Sequence, residues 1–195
     1  MNLVLASSSK NRKDLLDMVG FKYEIIKSRK DEESSATDPF EYVAELSKTK
    51  ALDVREQIDY DALIVAADSI IYMDGKKYEK PKTKEEAFNN LKEMSGRVTN
   101  AITGMTVIDT KQDIILTISD SVDIEFKEID DEDIKWYVDN DPYILERCGY
   151  SLIGKANLFV KRVEGDYNIA VGLSLTKLHE VIKELGYTLN DIELK

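Results

Sequence analysis

ALIVAADSIIYM, residues 62–73, is an apolar run broken by a single acid, Asp68. Its length and its Ile and Val content predict a buried strand, and the Asp74-Gly75 pair after it predicts a turn into a short hairpin. A carboxylate is costly to bury unless it is paired or bound to a cation, so Asp68 either has such a partner or emerges at the strand end into solvent. Further on, Lys80 stands directly before Pro81, which disfavours helix at that point. The lysine is then either held at the end of the returning strand, towards Asp68, or exposed in a loop.

Upstream of this run, LVLASSSKNRKDLL (3–16) reads as a buried strand followed by a helix that stops at Gly20, with the serines at the junction. A helix start carries unpaired N–H groups and a partial positive charge, which suits a serine cap or a bound anion. Lys10, Arg12 and Lys13 are not what the helix dipole favours in a first turn. KYEIIKS (22–28) alternates like a strand, RKDEESSATDP (29–39) is a polar loop, and residues 39–57 carry helical spacing with Pro39 near the start. Lys48 and Lys50 lie on that helix about 200° apart, so at most one of them faces any one site. Asp31, Glu32 and Glu33 are either oxygen ligands for a hard cation or a solvated acidic loop.

Downstream, Thr83 and Glu86 match a capping box for a helix that runs to Met94. Residues 97–109 and 113–129 read as two long strands, Asp130 caps a helix through Asn140, 156–163 is a further strand, and a last helix follows Ser174. There is no repeat, no low-complexity tract and no evident linker, so residues 1–195 are expected to form a single α/β domain with a mixed sheet.

The chain has 195 residues, 43% hydrophobic and 33% charged, with a formal net charge of −11. An acidic balance of this size argues against a nucleic-acid polymer as partner, because counterion release needs a basic face. The single cysteine, Cys148, excludes an internal disulfide, and the single histidine, His179, is expected on the outer face of the last helix. With no apolar leader and no stretch long enough to span a bilayer, the expectation is a cytoplasmic protein without a membrane partner.

The order of these segments resembles the Maf family of nucleoside triphosphate pyrophosphatases. LASSSKNR (5–12) is similar to the family's LASxSPRR, ADS (67–69) to its ADT, and KP (80–81) to the KP after its hairpin. MSGRVTNAITG (94–104), FVKRVEGDY (159–167) and VGLS (171–174) are similar to its later motifs. The resemblance implies a Maf/ITPase-like fold, a mixed elongated sheet flanked by helices, with two lobes around a nucleotide-binding cleft. It also implies a homodimer.

By similarity, Ser7, Arg12, Lys50, Asp68 and Lys80 fall on active-site positions, and Ser9, Asn11 and Ser69 join Ser7, Arg12 and Lys80 in the substrate-binding set. Glu32 matches a loop glutamate, or Glu33 does if the loop is one residue longer. The implied cofactor is a divalent metal, Mg²⁺ or Mn²⁺, held by Asp68 and that glutamate. The implied reaction is hydrolysis of an ordinary or modified nucleoside triphosphate to the monophosphate and pyrophosphate, with Asp68 holding the metal or orienting the attacking water. The alternative is a nucleotide-binding regulator of cell division with little turnover.

Of three positions that track the preferred base in the family, two depart from its patterns. Asn11 stands where Arg or Trp is usual, Ser69 is close to the Thr of the dTTP/UTP type, and YSLIGKAN (150–157) carries no Gln or Glu. Lys10 and Ser174 each replace a proline of the family pattern.

Overall fold

The computed structural model describes residues 1–30, 33–148 and 150–195. Its strands are β1 (Asn2–Leu5), β2 (Glu24–Ile25), β3 (Ala62–Met73), β4 (Lys76–Tyr78), β5 (Val98–Asp109), β6 (Ile114–Phe126) and β7 (Val160–Glu164). Its helices are α1 (Lys10–Met18), α2 (Pro39–Arg55), α3 (Lys84–Met94), α4 (Asp131–Asn140), α5 (Tyr167–Val171) and α6 (Leu175–Glu184). The strands form one mixed sheet in the order β2-β1-β3-β5-β6-β7, with β4 paired to β3. β1 runs parallel to both β2 and β3, with Leu5 opposite Val65, while β3–β4 and β6–β7 are antiparallel. Among the described residues no helix is long and apolar enough to cross a membrane.

The chain forms two compact units. One comprises Met1–Asp68, Thr103–Asp120 and Gly172–Lys195, and the other Ser69–Ile102 and Ser121–Val171. In the first, alternation decides which strand residues meet which helix. Val4 and Ala6, Ala62, Ile64 and Ala66, and Ile108 form one buried cluster with Ala51 and Val54 of α2. Asp68 is the next residue in the Ala62-Ile64-Ala66 series, which sends its carboxylate to the α2 face. In the second unit, Ala87, Leu91 and Met94 of α3 and Ile134, Tyr137 and Val138 of α4 pack with Val122, Ile124 and Phe126 of β6.

Local chemistry accounts for most boundaries. Asp38 accepts hydrogen bonds from the Phe40 and Glu41 amides, with Pro39 at the first helical position of α2. Asp130 and Ser174 cap α4 and α6 in the same way. Asp74 and Gly75 both take positive φ, 52° and 80°, as the tight β3–β4 turn requires.

Three local expectations are corrected. The strand expected over 22–28 contracts to Glu24–Ile25, both exposed, because this edge segment has no buried face to extend it. The strand expected over 156–163 begins at Val160; Lys155–Leu158 is a 3-10 turn in which the Asn157 side chain donates to the Leu152 carbonyl in place of a ladder bond. The capping box at Thr83 is half formed. Thr83 accepts from the Glu86 amide, but the Glu86 carboxylate accepts from the Lys82 amide, one residue earlier than the pattern demands.

Candidate active site

In the first unit there are two polar clusters, one just past the end of β1 and one in the middle of β3. Past β1, the buried Ser7 hydroxyl accepts from the Ser9 amide at 3.1 Å and from Arg12 Nη1 at 3.1 Å. Arg12 also donates from Nε to the Gly172 carbonyl at 2.8 Å, so its guanidinium is held from both sides. Ser9 occupies the N-cap of α1, yet its side chain makes no capping hydrogen bond and no acid lies in the first turn. The Ser9 side chain therefore does not cap the first turn of α1. Lys10 is committed to Asp14 on its own helix at 2.6 Å, which answers one of the three bases without a ligand. Asn11 is half-buried on the first turn of the same helix.

The second cluster is Lys50 and Asp68. Lys50 Nζ donates to Asp68 Oδ1 at 2.5 Å, and both side chains are about a tenth exposed, 11% and 10%. Of the two α2 lysines, Lys48 is exposed and Lys50 faces the sheet. The acid in the apolar run is thus buried and paired.

In the second unit, Ser69 accepts at its carbonyl from the Cys148 thiol at 3.6 Å. Lys80 is exposed, two residues beyond the end of β4, and follows the buried Tyr78. Tyr78 and Lys76 both donate to Glu93 of α3, at 2.7 and 2.6 Å, fixing the strand that leads to Lys80. Farther along, buried Asp141 accepts from Tyr137 at 3.0 Å and from Arg147 at 3.1 Å, tying down the segment after α4. Burial pushes the Tyr137 phenol well above its ordinary range, with the Asp141 carboxylate adding to the shift. Ile153, in the segment lacking Gln or Glu, is exposed.

Among the described residues no three His, Cys, Asp or Glu side chains cluster to hold a metal. Glu33 is exposed, and Glu32 lies outside the described residues. Of the acids expected to hold a metal, Asp68 is buried with its carboxylate paired to Lys50, a single carboxylate that would leave most of a hard cation's coordination to other oxygens.

Sequence reasoning overlooked Gly172. Its contribution is a main-chain carbonyl, 160 residues from Arg12, and no side-chain pattern announces it.

A family model described as Maf-like protein matches residues 2–185. The chain belongs to the Maf-like family. A Maf-like relative named dTTP/UTP pyrophosphatase, from Thermoanaerobacter sp. (strain X514), is 36% identical over 183 residues, 94% of this chain and 96% of its own length. Another of that name, from Clostridium perfringens (strain SM101 / Type A), is 30% identical over 191 residues, covering 97% of this chain and 100% of its own. Among solved structures, a HAM1 protein from Coxiella burnetii matches 65% of this Maf-like chain and 73% of its own, at a TM-score of 0.44 and 14% identity.

Proposed function

We propose that this Maf-like chain hydrolyses a nucleoside triphosphate between the α- and β-phosphates, releasing pyrophosphate and a nucleoside monophosphate, with pyrimidine nucleotides as the preferred class. The observation that carries the reading is the buried Lys50–Asp68 pair in a chain whose relatives are named dTTP/UTP pyrophosphatases. A protein that only bound nucleotide would have little use for a desolvated carboxylate in the middle of an apolar strand.

The substrate brings about four negative charges near neutral pH, and Arg12 and Lys50 of the first unit answer part of them on a chain whose net charge is −11, with Lys80 proposed as a further cation on its match to the family's KP alone. Arg12, braced at Ser7 and Gly172, offers its guanidinium to phosphate oxygens without having to be ordered on binding. The α1 amides next to Ser9 add main-chain donors. Asp68 orients a water in line with the α-phosphorus and accepts its proton as the new P–O bond forms. The α–β bridging oxygen then leaves with pyrophosphate. A divalent ion, Mg²⁺ or Mn²⁺, entering with the triphosphate would offset phosphate charge, and Asp68 is the described residue that would hold it.

The test is pyrophosphate release across a panel of ordinary and modified nucleoside triphosphates, with Mg²⁺, Mn²⁺ or EDTA, beside an Asp68→Asn control. Release that needs both the metal and Asp68 is expected. Asn11 and the segment 150–157 without Gln or Glu, which depart from the family's base-reading pattern, favour a second reading, a nucleotide-binding regulator. Tight nucleotide binding with no product across the panel would select it. The homodimer implied by the family resemblance is tested by light scattering on the purified chain.

A further inference from the structure

β5 presents Gly104, Thr106 and Ile108 on one face, and α2 presents Val43, Ser47 and Lys50 on one stripe, at helical spacings of four and seven. The two meet with almost no side chain between them at the start. A Cβ added to Gly104 would lie 2.3 Å from the Val43 carbonyl oxygen, 2.4 Å from its carbon and 2.7 Å from the Ala44 nitrogen. These are backbone atoms of a helix and cannot yield by changing rotamer.

One turn further, the fully buried Ser47 hydroxyl donates to the Ala44 carbonyl at 2.9 Å and lies 2.9 Å from the Thr106 hydroxyl. With its one proton used, Ser47 accepts from Thr106, which then accepts from Thr117 at 3.0 Å. The next residue inward on the α2 stripe is Lys50, bonded to Asp68 on β3, the strand beside β5.

We propose that Gly104, Thr106 and Ser47 are positioning residues for the Lys50–Asp68 pair. The side-chain-free seat at Gly104 sets how closely α2 approaches β5, and the Ser47–Thr106 latch sets its rotation and register. Together they fix where the Lys50 ammonium arrives. The catalytic consequence rests on the pyrophosphatase reading, but the positioning does not.

The experiment compares wild type with Gly104→Ala, Thr106→Val and Leu91→Ala, the last a core deletion in the other unit that lowers stability without touching α2. Each is treated with an amine-reactive ester, and acylation of Lys50 is read by peptide mass spectrometry against exposed Lys48 on the same helix; kcat and KM for pyrophosphate release are measured in parallel. In Gly104→Ala the Lys50/Lys48 labelling ratio is expected to rise by about an order of magnitude. Its kcat is expected to fall at least about tenfold with KM changed far less, because a displacement of about 1 Å is already costly to a reacting constellation. Thr106→Val should move both in the same direction, and Leu91→Ala neither.

An unchanged labelling ratio in folded Gly104→Ala, or an equal rise in Leu91→Ala, overturns the proposal. If Gly104→Ala does not fold, Thr106→Val and Ser47→Ala decide it by the same ratio. Wild type without pyrophosphatase activity would sink the functional reading alone, since the labelling arm needs no substrate.

Discussion

At the scale of the residue, two charges share one desolvated place. Removing one partner of a buried pair leaves the other uncompensated, so Lys50→Met and Asp68→Asn should each lose about 3–5 kcal/mol of stability in urea denaturation. The double variant Lys50→Met/Asp68→Leu should regain most of that loss while remaining inactive. A stable Lys50→Met single variant would contradict the desolvation seen at the pair. For turnover, Asp68→Asn in conditions where it remains folded should lose about 10²–10⁴-fold, the range for a positioned acid–base group. Lys80→Ala, at an exposed lysine, should lower kcat without a stability change, and unchanged turnover would remove Lys80 from the mechanism. Asn11→Arg should shift the preferred base in the substrate panel.

The need for a partner at Asp68 was legible in ALIVAADSIIYM itself. Its identity was not. Helical spacing leaves Lys48 and Lys50 open, the family resemblance points to Lys50, and the burial of the Val43-Ser47-Lys50 stripe places Lys50 at the acid. The brace on Arg12 lies further out of reach, because half of it is a peptide carbonyl that any residue type could have supplied.

At the scale of the element, the β3–β4 hairpin is stapled to α3 through Tyr78, Lys76 and Glu93. The hydrogen bond from Lys76 lowers the Glu93 carboxyl below its usual range, with Tyr78 assisting. Burial, followed by the bond to Glu93, pushes the Tyr78 phenol up to about 12. A phenol whose folded value is raised holds its proton longer folded than unfolded. Its stabilisation is therefore complete below about pH 10 and is lost as pH rises from about 10 to about 12. Glu93 acts at the other end, its contribution present above the ordinary carboxylate range and lost on acidification through its lowered value. Denaturation midpoints measured across alkaline pH should fall less steeply in Tyr78→Phe than in wild type; equal slopes would show that the staple does not couple to the phenol's proton.

Where an element's limits come from its own residues, as with Pro39 and Asp38 or the Asp74-Gly75 turn, pattern reading placed them to within a residue or two. It failed where a distant group competed. Asn157 takes the Leu152 carbonyl and forestalls a strand, and the Glu86 carboxylate settles on Lys82 instead of Thr83.

At the scale of the whole molecule, a net charge of −11 argues against binding a polyanion. Anisotropy with a labelled single-stranded oligonucleotide is expected to detect no binding even at about 50 mM salt, where counterion release is strong. β3, β5 and β6 each contribute residues to both compact units, so chain continuity joins the units without a linker. A single calorimetric transition is the expected outcome, and two separable ones would make the units independent domains.

The bond from Arg12 to Gly172 has a consequence for how the protein is made. Synthesis runs from residue 12 towards residue 172, so the arginine and its serine leave the ribosome long before the carbonyl that completes their brace has been polymerised. The same late stretch supplies Leu194, bridged to Phe21, and the Glu193 carbonyl that receives the Lys22 amide. A nascent chain that has already formed β1, α2 and β3 still lacks the finished brace on Arg12, and it acquires one only as translation reaches its last stages.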